Sequence, residues 1–254
     1  MTKNSIGIWI SVVMAVVAVA AIIAAQFLAA SPPTVATTAD PSVAGATAMT
    51  VAGPPASLVR AAPDPEDDKI TREQATSAIV GQEESFAKNA IVLLGDSIVA
   101  RSGVYQLCGQ PVLRAGIPGS RVRDWDDLGP DVFAHVRPRL VVFALGINDS
   151  VAAFKTDPAK WEADYRALVD AAQPAKVAFV SIMPFDSKAA AGAQIDGAMR
   201  DALNQRLAKV AKDTGGILID PLPSADGLTL DGVHFNEIGQ GKWAERLTAA
   251  CKAI

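Results

Sequence analysis

The sequence predicts an α/β domain over residues 69–254, a five-stranded parallel sheet with helices on both faces. Three observations predict it. From Ile70 onward, short apolar, β-branched runs alternate with longer helical patterns. The runs are apolar along nearly their whole length, as in strands buried on both faces. Small or reactive residues recur directly after the runs, where open parallel sheets bind their ligands. A segment of this length can bury a substantial core.

The elements follow in order. Thr71 with Gln74 has the capping-box pattern and predicts a helix running to about Ala87. Strands are predicted at Ala90–Leu94, Pro111–Leu113, Leu140–Ala144, Val177–Ile182 and Ile217–Ile219. Helices are predicted over 98–107, 122–137, 157–173, 190–213 and 236–253. Asn236 is the expected cap of the last of these. No internal repeat is visible.

Ahead of the domain, residues 6–30 carry no charge, and only Ser11 and Gln26 are strongly polar. As a helix they would rise ~37 Å, enough to cross a hydrocarbon core of ~30 Å. Trp9 stands near one end, and Lys3 with the amino terminus precedes the run, so residues 1–5 are expected in the cytosol and the rest outside it. The run is longer than a signal peptide's apolar region, and Leu28 in Leu28-Ala29-Ala30 stands where cleavage prefers a small residue. The expectation is therefore an uncleaved signal anchor. Cleavage would make the domain secreted, and both readings place it outside the cytosol. Residues 31–68 hold seven of the sixteen prolines, a density that prevents helix and sheet and predicts a disordered linker. Its acidic end, Asp64 with Glu66, Asp67 and Asp68, reads as a solvated flank.

Composition removes several function classes. The net charge is −4 and no basic block stands out, so no nucleic-acid partner is expected. The chain has two Cys, two His and no CxxC pair. A zinc site is therefore not expected, and the reading calls for no metal and no cofactor.

What remains are four clusters at strand ends: Gly95-Asp96-Ser97, Gly116-Ile117-Pro118-Gly119, Gly146-Ile147-Asn148-Asp149 and Asp231-Gly232-Val233-His234. A serine hydroxyl is a weak nucleophile until a base takes its proton, and His is the usual base near neutral pH. A carboxylate that fixes the imidazole tautomer completes the arrangement. Ser97, His234 and Asp231 supply these three roles. A tetrahedral intermediate also needs donors aimed at its oxygen. The candidates are the N–H groups of Ser97 and Gly119 and the side-chain amide of Asn148. His135, inside a helical stretch, reads as a surface or packed residue. Asp96 reads as a backbone partner in the strand-to-helix turn. Arg121, Arg123 and Asp124 read as pocket rim or solvated helix face, and Met183-Pro184-Phe185 as pocket wall or core.

With these four clusters in order, the chain resembles the SGNH hydrolase superfamily, also called the GDSL lipase/esterase family, over residues 88–253. Ser97, Gly119, Asn148 and His234 match the residues that name it, with Asp231 in the last block. Three positions depart from its common pattern. Arg114 stands where Asn is common, Ser120 where Asp is common, and Ile98 follows the nucleophile instead of Leu. The Gly-x-Ser-x-Gly of the other large esterase fold is absent. The resemblance implies a flavodoxin-like three-layer sandwich and ester hydrolysis without a cofactor. In that order the first and last helices share a face, so Cys108 and Cys251 fall toward the edge opposite the site. A disulfide between them is permissible outside the cytosol.

These readings together point to an extracytoplasmic, membrane-tethered esterase acting on a small ester or an acylated glycan, acetyl esters of carbohydrates among them. The same triad can pass its acyl group to a sugar hydroxyl. Such an O-acyltransferase would need a multispanning membrane partner to deliver the donor. A non-catalytic binding domain is the third reading, and the complete set of four blocks argues against it.

Overall fold

The computed structural model describes residues 72–83, 86 and 89–253. The signal anchor at 6–30, the linker at 31–68 and Thr71 of the capping-box pattern lie outside the described residues. Among those described, no helix is long and apolar enough to cross a membrane.

Among the described residues the elements are α1 (Arg72–Glu83), β1 (Ile91–Gly95), α2 (Ser97–Ala100), β2 (Gln106–Leu107), β3 (Gln110–Gly116), α3 (Leu128–Val136), β4 (Leu140–Ala144), α4 (Pro158–Ala171), β5 (Lys176–Val180), α5 (Gly197–Thr214), β6 (Ile217–Ile219) and α6 (Glu237–Ala250). Four 3-10 turns punctuate the connections: Val122–Trp125, Asn148–Ser150, Ala152–Phe154 and Gly192–Gln194.

The sheet has six strands in the order β2-β3-β1-β4-β5-β6, not five. Five are parallel, and the added edge strand β2 runs antiparallel to β3, so the sheet is mixed. Counted alone, the parallel strands follow the order 2-1-3-4-5, one of the common doubly wound arrangements. The helix expected over 98–107 is overturned accordingly. Only one turn of helix, α2, survives. Cys108 (φ 51°) and Gly109 (φ 71°) then form a two-residue turn with both φ values positive, the geometry that joins hairpin strands. Leu107 pairs with Gln110 across it, and the strand expected from Pro111 begins there.

Two other predicted helices split. The stretch 122–137 becomes the Val122–Trp125 turn plus α3, and 190–213 becomes the Gly192–Gln194 turn plus α5. In each case an aspartate just before the helix marks the break. Asp196 caps α5 by accepting from the Met199 N–H (3.0 Å), while Asp127 stands at the start of α3. Asn236 caps α6 as expected, its Oδ1 accepting from the Gly239 N–H at 2.9 Å.

The core explains why the apolar runs are continuous. Ile91, Val92, Leu93 and Leu94 of β1 are each 0% exposed, so both faces of the central strand are covered. On one face Phe143 stacks on Phe179 and meets Phe133 of α3 and Tyr165 of α4 edge-on. On the other, the next residues along, Ala144 and Val180, line a small cavity with Trp243 of α6. Period-2 alternation thus assigns α3 and α4 to one layer and α6 to the opposite one. Glu162 ties α4 to α5, accepting from Arg166, Arg206 and Lys209. The Cys108 turn is bonded to Cys251, just past α6, with a Cα–Cα separation of 5.3 Å. Both lie at the rim opposite the C-terminal ends of the parallel strands.

Strand register is what gathers the clusters. Gly95 of β1 is level with Gly116 of β3 and Ala144 of β4. The chain therefore leaves three adjacent strands at one height, and Ser97, Gly119 and Asn148 follow within a few residues.

Candidate active site

Ser97 is the first residue of α2, directly after the end of β1. Asp96 caps that turn, its Oδ1 accepting from the Ile98 N–H at 2.9 Å. As the first helical residue, Ser97 has an N–H without an intrahelical acceptor. Its hydroxyl lies 2.9 Å from Nε2 of His234, although the two residues are 137 apart in sequence. On the other side of the ring, Nδ1 lies 2.6 Å from Oδ2 of Asp231. A carboxylate at Nδ1 calls for a proton there, which leaves Nε2 free to accept from the serine hydroxyl.

The Asp231 carboxylate is itself fixed. Its Oδ1 accepts from the N–H groups of Val233 (3.0 Å) and His234 (2.9 Å). Burial pushes this carboxyl up, but the His234 ring and those backbone donors outweigh it, and the group is held below the usual aspartate value. The loop is pinned from outside by 186–192. Asp186 N–H donates to Gly232 O (2.9 Å), and Ala191 N–H to Asp231 O (3.0 Å). The approach is close: a Cβ at Gly192 would stand 2.0 Å from the Asp186 carbonyl oxygen. The sequence reading missed this support, because Gly192 lies in an Ala-rich stretch with no catalytic motif.

Gly119 sits in a tight turn. Ser120 N–H donates to Ile117 O (3.1 Å), and Gly119 has φ 73°. This is a Pro-Gly turn of type II, whose third residue must have positive φ. The turn's own bond uses Ser120 N–H and leaves the Gly119 N–H available. Asn148 donates one amide hydrogen to Ser120 O at 2.9 Å, so its second amide hydrogen remains for another acceptor. Ser120, at the position where the family commonly carries Asp, is 0% exposed. Its Oγ accepts from Trp125 Nε1 at 3.1 Å and lies 3.4 Å from Gly95 O.

The other singled-out residues divide plainly. The Arg114 guanidinium lies 4.3 Å over the Tyr105 ring and donates to Ser102 O. Arg121 stacks 4.4 Å over Phe154 and, with Arg123, lines a cleft that reaches Asp149. Asp124 accepts from the Arg121 N–H at 2.9 Å. Met183 is buried, and Phe185 packs partly buried against the core. His135 is on the surface of α3, its Nδ1 2.8 Å from Asp131 O. Among the described residues, no group of three or more His, Cys, Asp or Glu is placed to hold a metal ion.

Two buried carboxyls adjoin the candidate residues: Asp96 precedes Ser97, and Asp149 follows Asn148. Burial pushes Asp96 up to about 7, with the Ile98 N–H opposing and Asp149 adding to the rise. Burial likewise raises Asp149 to about 6, against the Val122 N–H. A raised Asp96 gives stability that is complete below the unfolded value near 3.8 and is lost as pH climbs to about 7. Asp96→Asn keeps the capping oxygen and removes the buried charge. Its melting temperature is expected to exceed that of the parent by several degrees at pH 8 and to match it near pH 4. Thermal melts across that range check this, and an equal difference at both pH values would refute it.

Residues 93–242, more than half of the chain, match the profile of the GDSL-like Lipase/Acylhydrolase family. No curated protein matches the chain. Among solved structures, a lipase/acylhydrolase from Enterococcus faecalis is similar with a TM-score of 0.56 and 18% identity, covering 65% of this chain and 96% of that one. A GDSL-like lipase from Bacteroides thetaiotaomicron gives 0.59 and 18%, covering 70% and 98%. An acetyl xylan esterase gives 0.55 and 24%, covering 63% and 98%. At these identities the structural likenesses speak for the fold.

Proposed function

The chain belongs to the GDSL-like lipase/acylhydrolase family and is a hydrolase of ester bonds; from that premise we propose that Ser97, His234 and Asp231 are its catalytic triad. One observation carries the reading: the unbroken hydrogen-bond chain from Ser97 Oγ through the His234 ring to Asp231, at 2.9 and 2.6 Å. His234 Nε2 takes the hydroxyl proton as Oγ attacks the ester carbonyl carbon. The N–H groups of Ser97 and Gly119 and the free amide hydrogen of Asn148 receive the negative oxygen. Collapse expels the alcohol, which takes the proton back from His234 and leaves an acyl-serine. Water, deprotonated by His234, then attacks that carbonyl, and the carboxylate leaves as Ser97 is regenerated.

The substrate class proposed is a short-chain ester, with acetyl groups on a carbohydrate as the favoured case. The acetyl xylan esterase among the similar structures supports this choice. The proposed place of action is outside the cytosol, with residues 6–30 as the tether. The Cys108–Cys251 disulfide supports that placement, since such bonds persist in oxidising compartments. No multispanning partner is needed for hydrolysis. The test is product analysis with the full chain, acetylated xylan and an added deacetylated glycan. Free acetate as the main product is the expected outcome, whereas acetyl groups moved to the added glycan would establish a transferase instead.

A further inference from the structure

Asp149 follows the oxyanion-hole candidate Asn148 and has no part in the steps above, yet it is 4% exposed. Its Oδ2 accepts from the Val122 N–H at 3.2 Å. In the opposite direction, Asn148 Nδ2 donates to Ser120 O at 2.9 Å. These two bonds join residues 148–149 to residues 120–122 and close a ring between two loops that leave different strands. The ring has Gly119 at one edge and the Asn148 amide at another. A further bond, Thr156 Oγ1 to Asp149 O at 2.7 Å, holds Asp149 from behind.

We propose that Asp149 is a positioning residue for the oxyanion hole: by holding the Val122 N–H it clamps the 117–122 loop against Asn148, so that the Gly119 N–H and the free Asn148 amide hydrogen converge on one point. The inference rests on the esterase reading given above. Its physical basis is directional. The Ser120 carbonyl chooses which Asn148 hydrogen is consumed, and the loop that places that carbonyl is joined to the 148–149 segment again at Val122. An oxyanion-hole donor is useful only within about 2.7–3.1 Å of the developing charge, so a small drift of this loop removes catalysis without removing substrate binding.

The ring can be opened from either side. Asp149→Ala removes the acceptor. Val122→Pro removes the donor and keeps the Asp149 carboxylate, which the proline Cδ pushes off the ring because it takes the place of the lost hydrogen. Val122 opens a 3-10 turn, and Arg121 before it is extended (φ −110°, ψ 168°), a conformation compatible with a following proline. Asp149→Asn keeps an acceptor oxygen and serves as the conservative variant.

The experiment is steady-state hydrolysis of p-nitrophenyl acetate by the full chain, with fluorophosphonate labelling of Ser97 in parallel. Asp149→Ala and Val122→Pro are each expected to lose about 10–100-fold in kcat, with KM within twofold of the parent. Asp149→Asn is expected to recover most of that loss. In a double-mutant cycle, Asn148→Ala should cost much less in the Asp149→Ala background than in the parent, because Asp149 acts through Asn148. Equal costs in both backgrounds would overturn the proposal, as would full kcat in Asp149→Ala. If Asp149→Ala fails to fold, Val122→Pro and Asp149→Asn decide: unchanged kcat in Val122→Pro, or loss in Asp149→Asn equal to that in Val122→Pro, overturns it. A parent chain that neither labels nor hydrolyses would overturn the esterase reading itself, a result distinct from any of these.

Discussion

Ser97→Ala is expected to lower kcat on p-nitrophenyl acetate by at least about 10⁴-fold while the protein stays folded. The magnitude follows from the nucleophile role proposed for the side chain. Without Oγ there is no acyl-serine, and residual turnover is limited to what the oxyanion hole and His234 do for water. The protein should stay folded because the Ser97 side chain has a single hydrogen bond to lose, the one to His234. The backbone turn at Ser97 is held by Asp96, not by Ser97. Circular dichroism and the melting curve should overlay those of the parent. His234→Ala should cost a similar factor, and the two losses should not add, since the groups act as one unit. Activity within tenfold of the parent in Ser97→Ala would place the nucleophile elsewhere.

The second large effect concerns stability. Replacing both Cys108 and Cys251 with Ser is expected to cost about 2–5 kcal/mol, or about 5–15 °C in melting temperature. The bond closes a loop between positions 143 apart, so its loss frees a long stretch of the unfolded chain. It ties the edge hairpin to the end of α6. Activity at 25 °C should be nearly unchanged, because the bond lies at the rim opposite Ser97. Equilibrium denaturation of the double variant beside the parent checks the stability claim, and an unchanged midpoint would refute it.

The fold and the candidate site were legible to different depths. The central parallel strands were readable because both faces are buried, so Ile91–Leu94 or Leu140–Phe143 show as continuous apolar runs. The edge strand Gln106–Leu107 was not, for the opposite reason. It is two residues long, half exposed, and turns through Cys108-Gly109 instead of one of the usual hairpin pairs. Helix ends failed where a local aspartate cap overrode the longer pattern, as at Asp196. Ser97, Gly119, Asn148, Asp231 and His234 stood out as candidates in the sequence because each lies in a cluster of small or reactive residues that follows a strand. The contacts made by Asp149, Ser120, Val122 and the 186–192 loop were not readable. Their contribution is a carbonyl, an N–H or a buried carboxyl whose partner lies far along the chain, and no local pattern records it.

The sequence by itself determined the α/β class, the five parallel strands and which residues are candidates for the chemistry. These depend on side-chain type and on periodicity, both of which are local. Only the tertiary structure decided the sixth strand, the level register of β1, β3 and β4, and the 2.9 Å meeting of Ser97 with a histidine 137 residues away. It also decided which donors near Ser97 are already bonded, as the Asn148 amide is to the Ser120 carbonyl. Such facts are set by hydrogen bonds between distant backbone groups, and every residue type but proline carries the same backbone donor and acceptor.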